Sequence, residues 1–249
     1  MRPRRRKPDL PGKTGRGPRP ASVDGRIIGL RRAFKSFWPR AEPGYIASAQ
    51  GAPMNRPAFD VYEPEVRTTS VVFASPHSGR DYPVAFLRQS VLDEVAIRSS
   101  EDAFVDLLLA DAPGFGAPLI AARVPRAYVD LNRSADELDP ALIEGVRKIA
   151  HNPRVTSGLG VIPRVVANGR AIYGGKIPLA EAQMRIRDFW RPYHARLQAL
   201  LDESHARFGQ ALLVDFHSMP REAIEHQDAG GRRPQVVLGD RFGAAADLE

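Results

Sequence analysis

The chain has 249 residues, 43% of them hydrophobic, and no cysteine, so disulfides are excluded and any metal must be held by His and carboxylate side chains. Its net charge of +7 and pI near 10.0 suggest nucleic acid as a partner. The charge is uneven, however, because residues 1–53 hold 13 of the 36 Lys and Arg and 3 of the 29 Asp and Glu. These residues carry about +10 and the remainder about −3, so the basic character belongs to the N-terminal segment alone.

No run of 18 apolar residues is present, and the Arg-rich N-terminus lacks the apolar stretch of a secretory signal. The sequence therefore predicts a cytoplasmic protein without a membrane partner.

Residues 1–53 are predicted to be a disordered extension, because a basic segment rich in Pro and Gly buries too little apolar surface to offset its conformational entropy. Residues 27–38 favour a short basic amphipathic helix within it. One interpretation is a tail, or an extension upstream of a wrongly assigned start, with Met54 as the true start. The alternative is an arm that contacts nucleic acid, which we do not expect.

From about residue 56 the pattern is that of an α/β domain, which we place at residues 54–249. In chain order the predicted elements are a strand at Thr69–Ser75, a helix at Ala103–Ala110, strands at Pro118–Ala122 and Ala127–Leu131, a long helical segment at Leu179–Phe208, and strands at Ala211–Val214 and Gln235–Leu238. Pro192 lies inside the long segment and predicts a kink or two abutting helices. Strands alternating with helices predict a three-layer αβα fold with a mixed, mostly parallel sheet.

Two apolar runs end in the same way. Val71–Ser75 is followed by His77, and Ala211–Val214 is followed by Asp215 and His217. Functional crevices of open α/β sheets lie at the carboxyl ends of the strands, so two such His residues with carboxylates nearby predict a metal site. The alternatives are a loop His at 77 and a buried His217 with satisfied hydrogen bonds.

Six motifs follow one another along the chain: Ser75–Gly79, the stretch Glu-Asp-Ala-Phe-Val-Asp with Asp102, Pro125–Arg133, Gly160–Arg164, Ile172–Tyr173 and Asp215–Ser218. In this order they resemble the N-formylglutamate amidohydrolase family, and the likeness runs from about residue 58 onward. The family is similar in fold and metal chemistry to zinc carboxypeptidases and aspartoacylase, with a phosphorylase/hydrolase-like sheet.

The resemblance implies one Zn²⁺ per chain, held by His77, Asp102 and His217. The related enzymes place a Glu three residues after the first His, where this chain has Arg80, so the carboxylate must come from elsewhere. Glu101 and Asp106 are the alternatives to Asp102, which could also be only an acid at a helix N-terminus. Asp215, two residues before His217, is expected on the same face of its strand, where it would orient the ligand or the water.

The resemblance also implies substrate contacts. Asn132 and Arg133 would hold a carboxylate through an amide and a planar guanidinium, and Arg126 would polarise the scissile carbonyl. Arg133 has the alternative of a surface ion pair with Asp136 or Glu137. Further anion contacts are expected from Arg164, Arg170 and Tyr173.

In the family the candidate general base is a Glu in a strand well after the second His. Because the chain ends at Glu249, we expect it to lack the C-terminal part of the domain and to expose a sheet edge. Glu222 and Glu225 are available acids, but neither is assigned as the base.

The expected function is zinc-dependent hydrolysis of an N-acyl amino acid in amino-acid catabolism. The favoured reaction is conversion of N-formyl-L-glutamate to L-glutamate and formate. The alternatives are a deacylase for another N-acyl amino acid, and a catalytically inactive family member that acts as a binding module.

Overall fold

A mixed sheet with strand order β1-β3-β2-β4 organises the chain. The computed structural model describes residues 57–147, 152–223 and 235–239, so the predictions for residues 1–53 lie outside the described residues. The strands are β1 (Phe59–Tyr62), β2 (Val71–Ser75), β3 (Leu119–Ala122) and β4 (Leu212–Asp215). β1 runs antiparallel to β3, whereas β2 runs parallel to both β3 and β4. The predicted α/β fold with a mixed, mostly parallel sheet is confirmed.

The helices lie on both sides of this sheet. They are α1 (Val84–Gln89), α2 (Glu94–Ile97), α3 (Val105–Leu108), α4 (Pro153–Thr156), α5 (Leu179–Arg185) and α6 (Arg191–Phe208), with short 3₁₀ turns at Ala112–Phe115 and Ala167–Gly169.

Alternation along β2 explains why both faces are covered. Val72 and Ala74 point into the larger hydrophobic core, while Phe73 packs against a smaller cluster that contains Val105 and Leu119. Successive side chains of a strand point to opposite faces, so a strand that is apolar on both faces needs a layer on each side. The three-layer arrangement follows from this pattern.

The long helical segment is interrupted where the sequence predicted a break. A π-helical turn, Ile186–Trp190, separates α5 from α6, and Pro192 occupies the first turn of α6. Proline has no N–H to donate to the preceding turn, but the first turn of a helix needs no such donor.

Two predicted strands are not formed in the described part of the chain. Residues 127–131 form a turn, because the N–H groups of Tyr128 and Val129 donate to the carbonyl of Pro125 and not to a neighbouring strand. Their side chains are buried in the main core, which produced the apolar pattern of a strand. Residues 235–239 are exposed and form no strand, because they have no strand partner among the described residues.

The predicted strand at residues 211–214 exists as β4, but it is not buried. Leu212 is 50% exposed and Leu213 39% exposed, since β4 pairs only with β2 in the described part of the chain. An open edge leaves one side of the strand without a partner. Separately, no helix in the described ranges is both long enough and apolar enough to cross a membrane.

Candidate metal centre and neighbouring residues

His77 and His217 lie together because the strands that precede them are neighbours in the sheet. Ala74 of β2 is paired with Asp215 of β4 in parallel register, so both chains leave the sheet at the same edge. The centroids of the two imidazole rings are 4.8 Å apart. The adjacent carboxyl ends therefore bring the two histidines together, as the sequence predicted.

Asp102 completes the cluster. Its Oδ2 lies 2.9 Å from Nδ1 of His217 and 3.5 Å from Nδ1 of His77, and its backbone N–H donates to the carbonyl of His77 at 3.0 Å. One ligand atom from each of the three residues can be chosen so that all lie within 4.8 Å of one another. Asp102 and His77 are buried and His217 is about one-third exposed, so the cluster opens to solvent at His217.

Asp102 does not belong to a helix. The predicted helix at Ala103–Ala110 is wrong in its extent, because α3 covers only Val105–Leu108 and begins after Phe104, whose backbone is left-handed (φ 69°). The hydrogen bond from Asp102 to His77 fixes it in the preceding loop instead.

The alternative acids have other partners. Glu101 accepts a hydrogen bond from the hydroxyl of Tyr82 at 2.7 Å, and Asp106 pairs with Arg80 at 2.9 Å. Of the three acids weighed from the sequence, Asp102 is the one that joins both histidines.

Asp130 is the functional residue that sequence reasoning missed. Its Oδ1 accepts a hydrogen bond from Nε2 of His77 at 2.7 Å, and its own N–H donates to the carbonyl of Val161. In the sequence it falls within the predicted strand Ala127–Leu131, and it is not among the predicted site residues. The available signal was chemical: a buried metal-binding His almost always donates its second ring N–H to a carboxylate, a carbonyl or water.

Three cationic or polar groups gather on the Asp130 carboxylate. Nε of Arg126 donates to Oδ2 at 3.0 Å, Nε of Arg133 lies 3.8 Å from the same oxygen, and the backbone N–H of Asn132 donates to Oδ1 at 2.9 Å. Burial raises the pKa of Asp130, but the hydrogen bond from His77 and the charges of His77 and of the two arginines outweigh it and lower the pKa to about 2. Asp130 is therefore an anion over the working pH range.

Within the described residues, Arg133 does not form the surface ion pair with Asp136 or Glu137 that was the alternative from the sequence. Nε donates to the carbonyl of Leu159 at 3.0 Å, and Nη1 donates to the carbonyl of Asn132 at 3.3 Å. Nη2 of Arg133 and both Nη atoms of Arg126 make no hydrogen bond to the described residues. Hydrogen bonds thus hold the Nε atoms of both guanidinium groups, while each group keeps at least one Nη donor without a partner among the described residues.

His217 has two partners at Nε2. The carboxylate of Asp215 lies at 3.0 Å and the amide nitrogen of Asn132 at 2.9 Å. Burial lowers the pKa of His217, but the hydrogen bonds to Asp102 and Asp215 and the charges of these acids outweigh it and raise the pKa to about 9. Asp215 thus lies at Nε2 of His217, whereas Asp102 lies at Nδ1 of the same ring.

Ser218 contacts the other carboxylate oxygen of Asp102. Its hydroxyl donates to Oδ1 of Asp102 at 2.9 Å, which leaves Oδ2 facing the two imidazoles. Burial raises the pKa of Asp102, but the hydrogen bond from His217, the charge of His77 and the hydrogen bond from Ser218 together hold it well below its usual range.

Arg164, Arg170 and Tyr173 have partners outside this cluster. Arg164 donates to Asp139 at 2.8 Å and Arg170 to the hydroxyl of Ser99 at 3.2 Å. Tyr173 is buried, and its hydroxyl accepts from Arg185 at 2.6 Å. Within the described residues none of the three makes a hydrogen bond to the cluster.

The donor set fits a metal ion. An imidazole binds a metal in its neutral form. With the His77 proton on Nε2, bonded to Asp130, the lone pair of Nδ1 would face the carboxylate of Asp102. Nδ1 is buried and has no hydrogen-bond partner among the described residues. A buried lone pair beside a buried carboxylate is stabilised by a cation between them. Two His and one carboxylate are also a common ligand set of catalytic zinc.

The fold and the His-Asp-His cluster define an α/β protein with a candidate metal centre at the carboxyl ends of two neighbouring strands. Residues 69–249 match the N-formylglutamate amidohydrolase family, and the chain belongs to this family.

Similar proteins agree with this assignment. Two curated relatives named N-formylglutamate deformylase, from Pseudomonas aeruginosa (strain PAO1) and Pseudomonas putida, are each 32% identical over 179 residues, which cover 71% of this chain. The chain spans 61% of the length of each of these relatives. A crystal structure of N-formylglutamate amidohydrolase from Ralstonia eutropha JMP134 is 38% identical, with a TM-score of 0.66 over 75% of this chain and 67% of that one.

Proposed function

We propose that this chain binds one Zn²⁺ through His77, Asp102 and His217 and hydrolyses N-formyl-L-glutamate to L-glutamate and formate. The proposal is supported above all by Nδ1 of His77, in a chain of this family. This atom is buried, has no hydrogen-bond partner among the described residues and lies 3.5 Å from the carboxylate of Asp102. The names of the curated relatives support the substrate.

The reaction breaks one C–N bond. Water adds to the formyl carbon, the amide bond breaks, and the leaving nitrogen takes up a proton to become the amino group of glutamate. A bound zinc ion supplies Lewis acidity for the carbonyl and lowers the pKa of water so that it attacks at neutral pH. The residues around the cluster must orient the ligands, bind the substrate and stabilise the charge that develops.

Asp130 and Asp215 orient the two histidines. Each carboxylate accepts from the Nε2 atom of one imidazole, at 2.7 Å for His77 and 3.0 Å for His217. The raised pKa of His217 describes the metal-free ring, and a metal ligand must be neutral, so metal binding would displace its Nδ1 proton. With the remaining proton on Nε2, Nδ1 of both rings is the atom directed at Asp102. The two histidines would then use the same ring atom toward the metal.

The same tautomer gives Asn132 a role in substrate binding. Nε2 of His217 can donate to Asp215 or accept from the amide of Asn132, but one nitrogen cannot do both at once. With the proton on Nε2 and Asp215 as its acceptor, the amide N–H groups of Asn132 become available to a substrate oxygen.

Arg126 would stabilise the charge that develops on the formyl oxygen. Its Nε is held by Asp130, the carboxylate that also holds His77, so the guanidinium is linked to the metal ligand through one buried anion. Its Nη groups remain as donors. Donors fixed before the reaction stabilise a transition-state oxyanion without reorganisation.

Arg133 would bind a carboxylate of the substrate together with Asn132. The carbonyl of Leu159 fixes Nε, and Nη2 remains as a donor. Arg164 and Tyr173 are not assigned a substrate contact in this proposal, because their side chains are already engaged by Asp139 and Arg185.

The test uses the full chain, loaded with zinc, and measures formate released from N-formyl-L-glutamate. His77→Ala should abolish both zinc binding and formate release, whereas the control His205→Ala, an exposed His on α6, should change neither. Release of acetate from N-acetyl-L-glutamate at a higher rate than formate would assign a related deacylase instead. A zinc-loaded chain that hydrolyses neither compound would refute the proposed activity.

A further inference from the structure

Ser218 is the one polar residue of the motif Asp215–Ser218 to which the proposed mechanism gives no role. It follows His217 directly, at the carboxyl end of β4, and lies 116 residues from Asp102 along the chain. Its side chain nevertheless contacts the carboxylate of the candidate metal centre and not a neighbouring backbone group.

The two carboxylate oxygens of Asp102 have different partners. Oδ1 accepts a hydrogen bond from the Ser218 hydroxyl at 2.9 Å, whereas Oδ2 lies 2.9 Å from Nδ1 of His217 and 3.5 Å from Nδ1 of His77. The backbone of Asp102 is tied separately, through its N–H to the carbonyl of His77. With the main chain fixed at one end and Oδ1 at the other, the carboxylate has one orientation.

We propose that Ser218 is a positioning residue that restricts Asp102 to binding the metal through Oδ2 alone. This inference rests on the proposed metal site. A carboxylate that uses one oxygen occupies one coordination position, and a carboxylate that uses both occupies two. With two imidazoles and a single carboxylate oxygen, a tetrahedral zinc site keeps its fourth position for water.

Loss of the hydroxyl should therefore change the metal site in two measurable ways. The carboxylate gains freedom to turn, which weakens zinc binding, and Oδ1 becomes available to the metal, which raises the coordination number. Residues that orient metal ligands typically contribute about 10- to 100-fold to metal affinity.

The experiment compares Ser218→Thr with Ser218→Val in the full chain. The two replacements have nearly the same shape, but only Thr keeps a hydroxyl. Zinc affinity is measured by competition with a chromophoric chelator, and the coordination number by the visible absorption of the Co²⁺-substituted protein. Four-coordinate Co²⁺ absorbs more strongly than five-coordinate Co²⁺, so the spectrum reports a property that a purely structural contact would not alter.

We expect Ser218→Val to bind zinc about 10-fold more weakly than wild type or worse, with weaker cobalt absorption, and Ser218→Thr to retain the wild-type values. A matched control is Ser99→Ala, which removes an exposed hydroxyl three residues before Asp102 that bonds to the carbonyl of Ala96. This control should leave both readouts unchanged.

Equal zinc affinity and equal cobalt spectra in the Val and Thr variants would overturn the role of Ser218 and leave the metal site intact. A wild-type chain that binds neither Zn²⁺ nor Co²⁺ would overturn both. Hydrolysis of N-formyl-L-glutamate is not needed for the comparison, so failure of the proposed activity is distinguished from failure of this inference.

Discussion

Asp130 accepts the Nε2 proton of His77 at 2.7 Å, which turns the other ring nitrogen of this buried histidine toward Asp102. The same carboxylate accepts from Arg126 through its second oxygen. One anion thus connects a candidate metal ligand to the guanidinium proposed to act on the substrate. The geometry of the metal centre and the position of Arg126 should therefore both depend on Asp130.

Replacing Asp130 by Asn should weaken zinc binding by about 10- to 100-fold, because an amide does not select the Nε2-protonated tautomer of His77 as a carboxylate does. Zinc affinity by chelator competition measures this. Asp136→Asn is the matched control, since Asp136 is exposed and its side chain makes no hydrogen bond or ion pair with the described residues. Unchanged affinity in Asp130→Asn would remove Asp130 from the metal centre.

Arg133 and Arg126 should have different kinetic signatures. Arg133→Ala should raise KM roughly 10- to 100-fold, the loss expected for a charged hydrogen bond to a carboxylate, while zinc content stays the same. Arg126→Ala should lower kcat roughly 100-fold or more, as expected for loss of a transition-state donor. Arg187→Ala, at an exposed guanidinium on the π-helical turn, is the control for loss of charge. A lower kcat with an unchanged KM in Arg133→Ala would contradict its assignment to the substrate carboxylate.

Gly79→Ala should destabilise the fold. A Cβ at this position would lie 2.0 Å from the carbonyl oxygen of Val124, so the loop after His77 must move away from the segment that follows β3. Forcing a methyl group into packed structure costs about 1–3 kcal/mol, and urea denaturation of the metal-free chain measures the free energy of unfolding. Gly175→Ala is the control, because a Cβ there meets no atom within 4 Å. Equal stability of the two variants would contradict the close approach.

The stability of the chain should depend on pH through His194. Burial lowers the pKa of this residue, and it outweighs the raising effects of the Leu131 carbonyl and of Asp215. The unfolded chain, with a His pKa of about 6.5, therefore takes up the proton first as pH falls. The contribution of His194 to stability is complete above that pH and is lost as pH falls through the lower folded pKa.

Unfolding free energies of wild type and His194→Gln, measured between pH 8 and pH 5, test this. The wild type should lose more stability than the variant over the acid part of this range. The exposed His205→Gln is the control and should follow the wild type. A variant with the same pH dependence as wild type would show that burial of His194 does not affect its titration.

The sequence predicted the sheet and both histidines because these features have local signals. An apolar run followed by His marks a strand end whether or not its partner strand is known, and β2 and β4 then bring His77 and His217 together through parallel pairing. The break before Pro192 was predictable for the same reason, since the missing N–H of proline acts within one helical turn.

The remainder depended on contacts that sequence spacing does not encode. Most of residues 127–131 are apolar and lie in the main core, so their hydrophobic pattern is that of a buried strand. The hydrogen bonds to the Pro125 carbonyl, which make this segment a turn, leave no signal in the sequence. The Asp130 bond to His77 joins residues 53 positions apart, and the Ser218 bond to Asp102 joins residues 116 positions apart. Neither partner could be identified before the loops were placed.

The zinc site is tested by the amount of zinc bound per chain, measured by elemental analysis of protein purified without a His tag. We expect about one zinc per chain in the wild type, and a loss of that zinc in His77→Ala and in His217→Ala but not in His205→Ala. A wild-type chain without zinc, even after the metal is added back, would contradict the proposed metal centre and the hydrolytic function built on it.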